Sequence, residues 1–89
     1  MFLEAKQISE ITRRKKNLLY YLPEEIEKSL REERIVMIRE NNQLAAFSLW
    51  DYYGDWVEVH TPYVAPDFRG RGYLRKVAGA ITSRLEKQN

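Results

Sequence analysis

The stretch from Arg34 to Val64 constrains the fold more than any other part of the chain. It carries three β-type runs separated by two short turn signals. Arg34-Ile35-Val36-Met37-Ile38-Arg39 is rich in β-branched residues, which fit a pleated, half-buried surface. Asn41-Asn42 follows, and asparagine tolerates positive φ, so the pair marks a turn. Gln43–Trp50 reads as a second strand, Asp51-Tyr52-Tyr53-Gly54-Asp55 as a hairpin loop and Trp56–Val64 as a third strand. The third run alternates, with Trp56, Glu58 and His60 on one face and Val57, Val59 and Thr61 on the other. Pro62 has no N–H to give to a ladder, which places this run at a sheet edge or at a bulge.

Helical spacing frames this block. Ile8, Ile11, Leu18, Leu19 and Leu22 recur at roughly helical intervals, although Arg13–Lys16 interrupts the apolar side. Pro23 as the first residue of a helix costs no hydrogen bond, and Glu24 and Glu25 behind it suit the helix dipole. Ile26 and Leu30 give that helix an apolar stripe. Two short helices are therefore expected over residues 7–21 and 23–33. A third is expected from Tyr73 to about Glu86, where Leu74, Val77, Ala78, Ile81 and Leu85 recur at spacings of three and four. The order is helix, helix, three antiparallel strands, helix, an α+β arrangement. At 89 residues, with no repeat or linker, one domain over 1–89 is expected.

Composition closes off several kinds of chemistry. The chain has no cysteine, so it offers no disulfide, thiol nucleophile or thiolate metal site. One histidine, His60, rules out a His-rich metal cage. Its longest apolar runs, Leu44–Phe47 and Val77–Ile81, fall far short of the ~20 residues a membrane helix requires. Glu4 follows Met1–Leu3 at once, so no signal peptide is expected, and a cytoplasmic setting is the default. Lysine and arginine number 15 against 13 acids, a net charge of +2, too near balance to argue for nucleic acid. Their distribution says more. Arg13, Arg14, Lys15 and Lys16 form one basic run, which most simply reads as a solvated face. Arg69, Arg71, Arg75 and Lys76 form a second, interleaved with glycines.

That second run lies in Val64-Ala65-Pro66-Asp67-Phe68-Arg69-Gly70-Arg71-Gly72-Tyr73, which joins a strand end to a helix start. A helix N-terminus presents backbone N–H groups with no internal partner and a positive dipole end, and so attracts phosphate. Glycine lets an anion approach the main chain, and arginine adds charge-assisted hydrogen bonds. The bland alternative is that Gly70 and Gly72 only shape a loop and the arginines point to water. The stretch is not a P-loop, because no Gly-Lys-Ser/Thr follows. It is not the dinucleotide fingerprint, because the third glycine is absent.

Val64-x-Pro66-x-Phe68-Arg69-Gly70-Arg71-Gly72 resembles the acyl-CoA-binding motif of the GNAT N-acetyltransferase superfamily, Arg/Gln-x-x-Gly-x-Gly/Ala. Arg69 fills the first position and Gly72 the fourth. The passage from Glu32 through Arg34 to Phe47 is similar to the family's transition from second helix to third strand. The resemblance implies a GNAT-like fold, acetyl-CoA as co-substrate with no metal, and transfer of an acyl group to an amine of a small molecule or a peptide. It implies that Tyr63, Val64, Ala65, Arg69, Gly70, Arg71, Gly72, Tyr73 and Leu74 bind the cofactor, with main-chain N–H groups of Tyr63–Ala65 facing the thioester carbonyl. Glu58 is similar in its spacing to Arg69 to the strand-borne glutamate that acts as base in some members. His60, two residues on, is an alternative base. A solvated Glu58 and a packed His60 are the plainer readings. Trp50, Tyr52, Tyr53 and Trp56 cluster at one hairpin, where cross-strand pairing is a simpler account than an acceptor pocket. Tyr20 and Tyr21 read as helix-packing residues, though the resemblance also allows them an acceptor contact.

Two departures from the family pattern stand out. Leu74 occupies the sixth motif position, where it either crowds the pyrophosphate or turns into the core. The chain stops at Asn89, where the motif helix ends, so the family's later strands and helix have no counterpart. The expectation is a truncated GNAT-like fold: a fragment, a minimal member completed as a homodimer, or a relative that has lost catalysis. The competing function is an inactive dimerisation or partner-binding module. No membrane partner is expected, and nucleic-acid binding ranks last.

Overall fold

Two-residue turns tie the β-type runs into one antiparallel sheet. The computed structural model describes residues 2–15 and 20–88. Strands β1 (Ile35–Glu40), β2 (Gln43–Tyr53) and β3 (Trp56–Val64) lie in the order β1-β2-β3. Asn41 and Asn42 take φ of 50° and 63°, the two positive values a type I′ turn demands, and Glu40 pairs directly with Gln43. The second loop is shorter than expected. Asp51, Tyr52 and Tyr53 belong to β2 and pair with Glu58, Val57 and Trp56. Gly54, with φ of 61°, reverses the chain together with Asp55 alone.

The chain forms two compact units, Met1–Arg34 and Ile35–Asn89. In the second, helix α3 (Tyr73–Gln88) packs on one face of the sheet. Val36, Ala45, Ala46 and Trp50 form a core there with Phe68, Tyr73, Val77 and Ile81. The expected apolar side of this helix needs correction. The buried stripe runs through Tyr73, Val77 and Ile81, with Ala80 and Leu85 at its margin. Leu74 and Ala78 sit off that stripe and are exposed. A step of four residues stays on one helix face, and the stripe is set by Tyr73 rather than by Leu74.

In the first unit, α1 (Phe2–Arg14) packs on α2 (Pro23–Arg31). The expected helix over 7–21 begins earlier and ends at Arg14. The Tyr21 N–H donates to Thr12 Oγ1 at 3.1 Å, and Ser9 Oγ donates to the Tyr21 carbonyl. These bonds fold Tyr21 back along α1, which a continuing helix does not allow. Leu18 and Leu19 lie outside the described residues. Leu22 caps α2 and is exposed, and Glu25 reaches back to accept its N–H at 2.9 Å. No helix among the described residues is long and apolar enough to cross a membrane.

Pro62 lies on an edge strand and in a bulge. Phe47 pairs with Tyr63 and Leu49 with His60, so Ser48 faces both Thr61 and Pro62. Thr61 holds φ of 57°, a strained value for a β-branched residue. Ser48, 1% exposed, donates its hydroxyl to the His60 carbonyl at 2.9 Å. Ser48→Ala removes the donor of this part-buried bond, at an expected cost of about 1 kcal/mol. Thermal unfolding should register the loss; an unchanged midpoint would show that the bond does not support the bulge.

Candidate active site

The end of β3, the loop after it and the start of α3 form one continuous piece. Ala65 donates its N–H to the Ala45 carbonyl at 2.8 Å. Ladder alternation then turns the Val64 N–H and carbonyl to the outer edge and the Tyr63 N–H inward to β2. Of the three amides expected to face a thioester, only that of Val64 points outward. Pro66–Phe68 makes a single 3₁₀ turn that buries Phe68. Arg69 folds its side chain back, and Nε donates to the Val64 carbonyl at 3.0 Å. This arginine ties the loop to the strand end while its guanidinium stays at the surface.

Gly70 and Gly72 take φ of 74° and 81°, a region that side-chain-bearing residues rarely occupy. A Cβ on either would meet no protein atom within 4 Å beyond its own chain neighbours, so the space in front of the main chain is open. The first internal bond of α3 runs from Lys76 N–H to the Gly72 carbonyl at 3.1 Å. The amides of Tyr73, Leu74 and Arg75 therefore have no acceptor within the helix. The first turn of α3 contains no acid, and Arg75 and Lys76 stand there instead. Cations at a helix N-terminus run against the dipole. Exposed Arg71 adds a further positive charge beside them. Leu74 is 56% exposed, which excludes the core as its destination. The open main chain, helix dipole and basic side chains fit a diphosphate.

Tyr73 anchors this end of α3. Its ring meets Phe68 edge-on at 5.4 Å, and Lys76 Nζ lies 4.6 Å from its centroid. Burial first, then the neighbouring Glu40 carboxylate, push the phenol's pKa above its usual value, against an opposing pull from Arg71. A raised pKa adds stability that is complete below about pH 10 and is lost as pH rises through the folded value. Tyr73→Phe is expected to flatten the fall in melting temperature on the alkaline side of about pH 10. Identical alkaline slopes in the two proteins would contradict this.

Glu58 and His60 lie on the sheet face opposite α3. Trp50 and Val57 pack toward the core, and strand alternation puts Asp51, Glu58 and His60 on the other side. Glu58 is exposed and sits directly across from Asp51. His60 Nε2 lies 2.7 Å from Asp51 Oδ2, and its side chain is 12% exposed. Asp51 is not a candidate on sequence alone, because the pattern places it in the hairpin loop, whereas it belongs to β2. The two-residue turn at Gly54-Asp55 would have revealed it, since that turn sets the register that brings Asp51 beside His60. Of the four hairpin aromatics, Tyr53 and Trp56 face each other directly, whereas Trp50 belongs to the core. Tyr20 is 52% exposed. Among the described residues, no group of three or more His, Cys, Asp or Glu is arranged to hold a metal ion.

The model of the Acetyltransferase (GNAT) family matches residues 4–89. No curated protein matches the chain.

Proposed function

This chain belongs to the GNAT acetyltransferase family, and on that premise we propose that it transfers an acetyl group from acetyl-CoA to an amine. The observation that carries the reading is the start of α3, where Arg71, Arg75 and Lys76 crowd a positive helix end beside two glycines with positive φ. Unliganded, that arrangement concentrates like charge. A diphosphate resolves it.

Main-chain N–H groups from Gly70 to Leu74 hold the diphosphate, and Arg71 adds charge. Arg69 keeps the loop against the strand end through the Val64 carbonyl. Acetyl-CoA supplies an acyl carbon with a thiolate leaving group. The outward Val64 N–H donates to the thioester oxygen as negative charge develops on it. The amine attacks only when neutral, so Glu58 or His60 removes its proton. The acceptor is a small-molecule or peptide amine.

Thermal unfolding with acetyl-CoA tests binding. Ligand at about 100 times its Kd adds roughly 2.7 kcal/mol, which for a chain of this size raises the midpoint by roughly 10 °C or more. Thiol release with a panel of amines then tests turnover. No thermal shift at millimolar acetyl-CoA contradicts the reading. A shift without thiol release favours a silent module.

A further inference from the structure

We infer that the outer face of the β2–β3 hairpin, where Tyr53 and Trp56 lie beside Glu58, docks a basic peptide. An arginine of that peptide lays its side chain on the two rings and brings its guanidinium to the Glu58 carboxylate. The inference concerns binding alone and stands whether or not the chain transfers an acetyl group.

Strand alternation assembles the surface. Tyr53 pairs with Trp56, and two positions along Asp51 pairs with Glu58, all on the sheet face opposite α3. Trp56 is 74% exposed and Tyr53 is 52% exposed. Stacking across the hairpin does not account for these rings. The ring-to-ring contacts among the described residues join Phe47 to Tyr63 and Phe68 to Tyr73 instead. The other tryptophan, Trp50, is fully buried. A tryptophan held in water on a two-stranded arm is the kind of side chain that anchors an interface.

Charge selects the occupant. Asp51 meets His60 Nε2 at 2.7 Å, whereas Glu58 is exposed directly across the ladder from it. Like charges placed opposite each other destabilise a pair, and a cation over Glu58 relieves that. An indole face attracts a cation. Exposed Asp55 in the adjoining turn adds negative charge, so phosphate is repelled and neither nucleic acid nor an anionic membrane suits this face. Residues two apart on a strand are separated by roughly 7 Å, which an arginine side chain spans. Its planar guanidinium stacks on rings and forks onto a carboxylate, which an ammonium does not. A face this open does not enclose a small molecule, which needs most of its surface buried. A peptide supplies neighbouring residues to cover the rings.

Fluorescence anisotropy of a labelled Gly-Arg-Gly-Arg-Gly-Arg-Gly peptide, titrated with the whole chain at low salt, tests this. The same peptide with citrulline for arginine is the neutral control. Saturable binding is expected, at least about tenfold weaker for the citrulline peptide. Trp56→Ala should weaken binding of the arginine peptide roughly tenfold and Glu58→Gln roughly threefold, with amide spectra reporting that both variants keep the fold. On titration the indole N–H signal of Trp56 should move and that of Trp50 should not. Absence of saturable binding up to millimolar peptide, equal binding of the citrulline peptide, or an affinity unchanged by Trp56→Ala overturns the inference. Concentration-dependent dimerisation of the protein alone that Trp56→Ala abolishes also overturns it, by assigning the face to a second copy of the chain.

Discussion

Gly72→Ala is expected to weaken acetyl-CoA binding at least about tenfold, a loss of roughly 1.4 kcal/mol, read from the ligand-induced rise in melting temperature. The unliganded protein should lose about 1–2 kcal/mol, the penalty of a left-handed backbone for a residue with a Cβ. Gly72 has φ of 81°, and an added methyl meets no protein atom within 4 Å beyond its chain neighbours. The cost without ligand is therefore one of backbone conformation alone. With ligand, the methyl occupies the space through which an anion reaches the main chain. Gly79→Ala, within α3, is the internal control. Gly79 lacks a positive φ and is exposed, so alanine there should stabilise by up to ~1 kcal/mol and leave binding unchanged. Wild-type affinity in Gly72→Ala would mean that no phosphate approaches this amide.

The largest effect on stability is expected from Trp50→Ala. Trp50 is fully buried and heads the side chains of the sheet–helix core. Removing a buried aromatic of this size costs about 3–5 kcal/mol, the lost transfer energy plus the cavity left behind. A chain of this length has a total stability of roughly 4–13 kcal/mol. The variant should therefore be substantially destabilised, with a large fall in the urea midpoint. Circular dichroism is the appropriate probe, because the remaining Trp56 is 74% exposed in the native state and reports little on unfolding. Trp56→Ala should stay within about 0.5 kcal/mol of wild type, as exposed positions usually do. Comparable losses at the two tryptophans would show that the core is placed on the wrong residue.

The strands and the final helix were legible because their signals are local. β-branched runs, an Asn-Asn turn and a period of about 3.6 after Gly72 need no tertiary context. Two local signals misled. The hydroxyls of Ser9 and Thr12 bond to Tyr21, which no helical periodicity reveals, so the apolar spacing overstates the length of the first helix, which ends at Arg14. Leu74 looked like a core residue by spacing, but the larger and partly polar Tyr73 took the buried position with Glu40 nearby. The proposed phosphate cradle is legible as a candidate because glycines, arginines and a helix start are adjacent in sequence. The Asp51–His60 pair and the Ser48 bond were not, since both depend on the exact register of two strands and on a bulge. Pro62 announced that bulge without saying which β2 residue would face it.

The central claim is that main-chain amides at the start of α3 hold the diphosphate of acetyl-CoA. Amide chemical shifts followed during titration with coenzyme A test it most directly. The account predicts that the largest changes fall on the N–H signals of Gly70, Gly72, Tyr73 and Leu74, and that these amides gain protection from hydrogen exchange at saturation. Saturable binding that leaves those four signals unmoved, with the changes gathered on other residues, would contradict it.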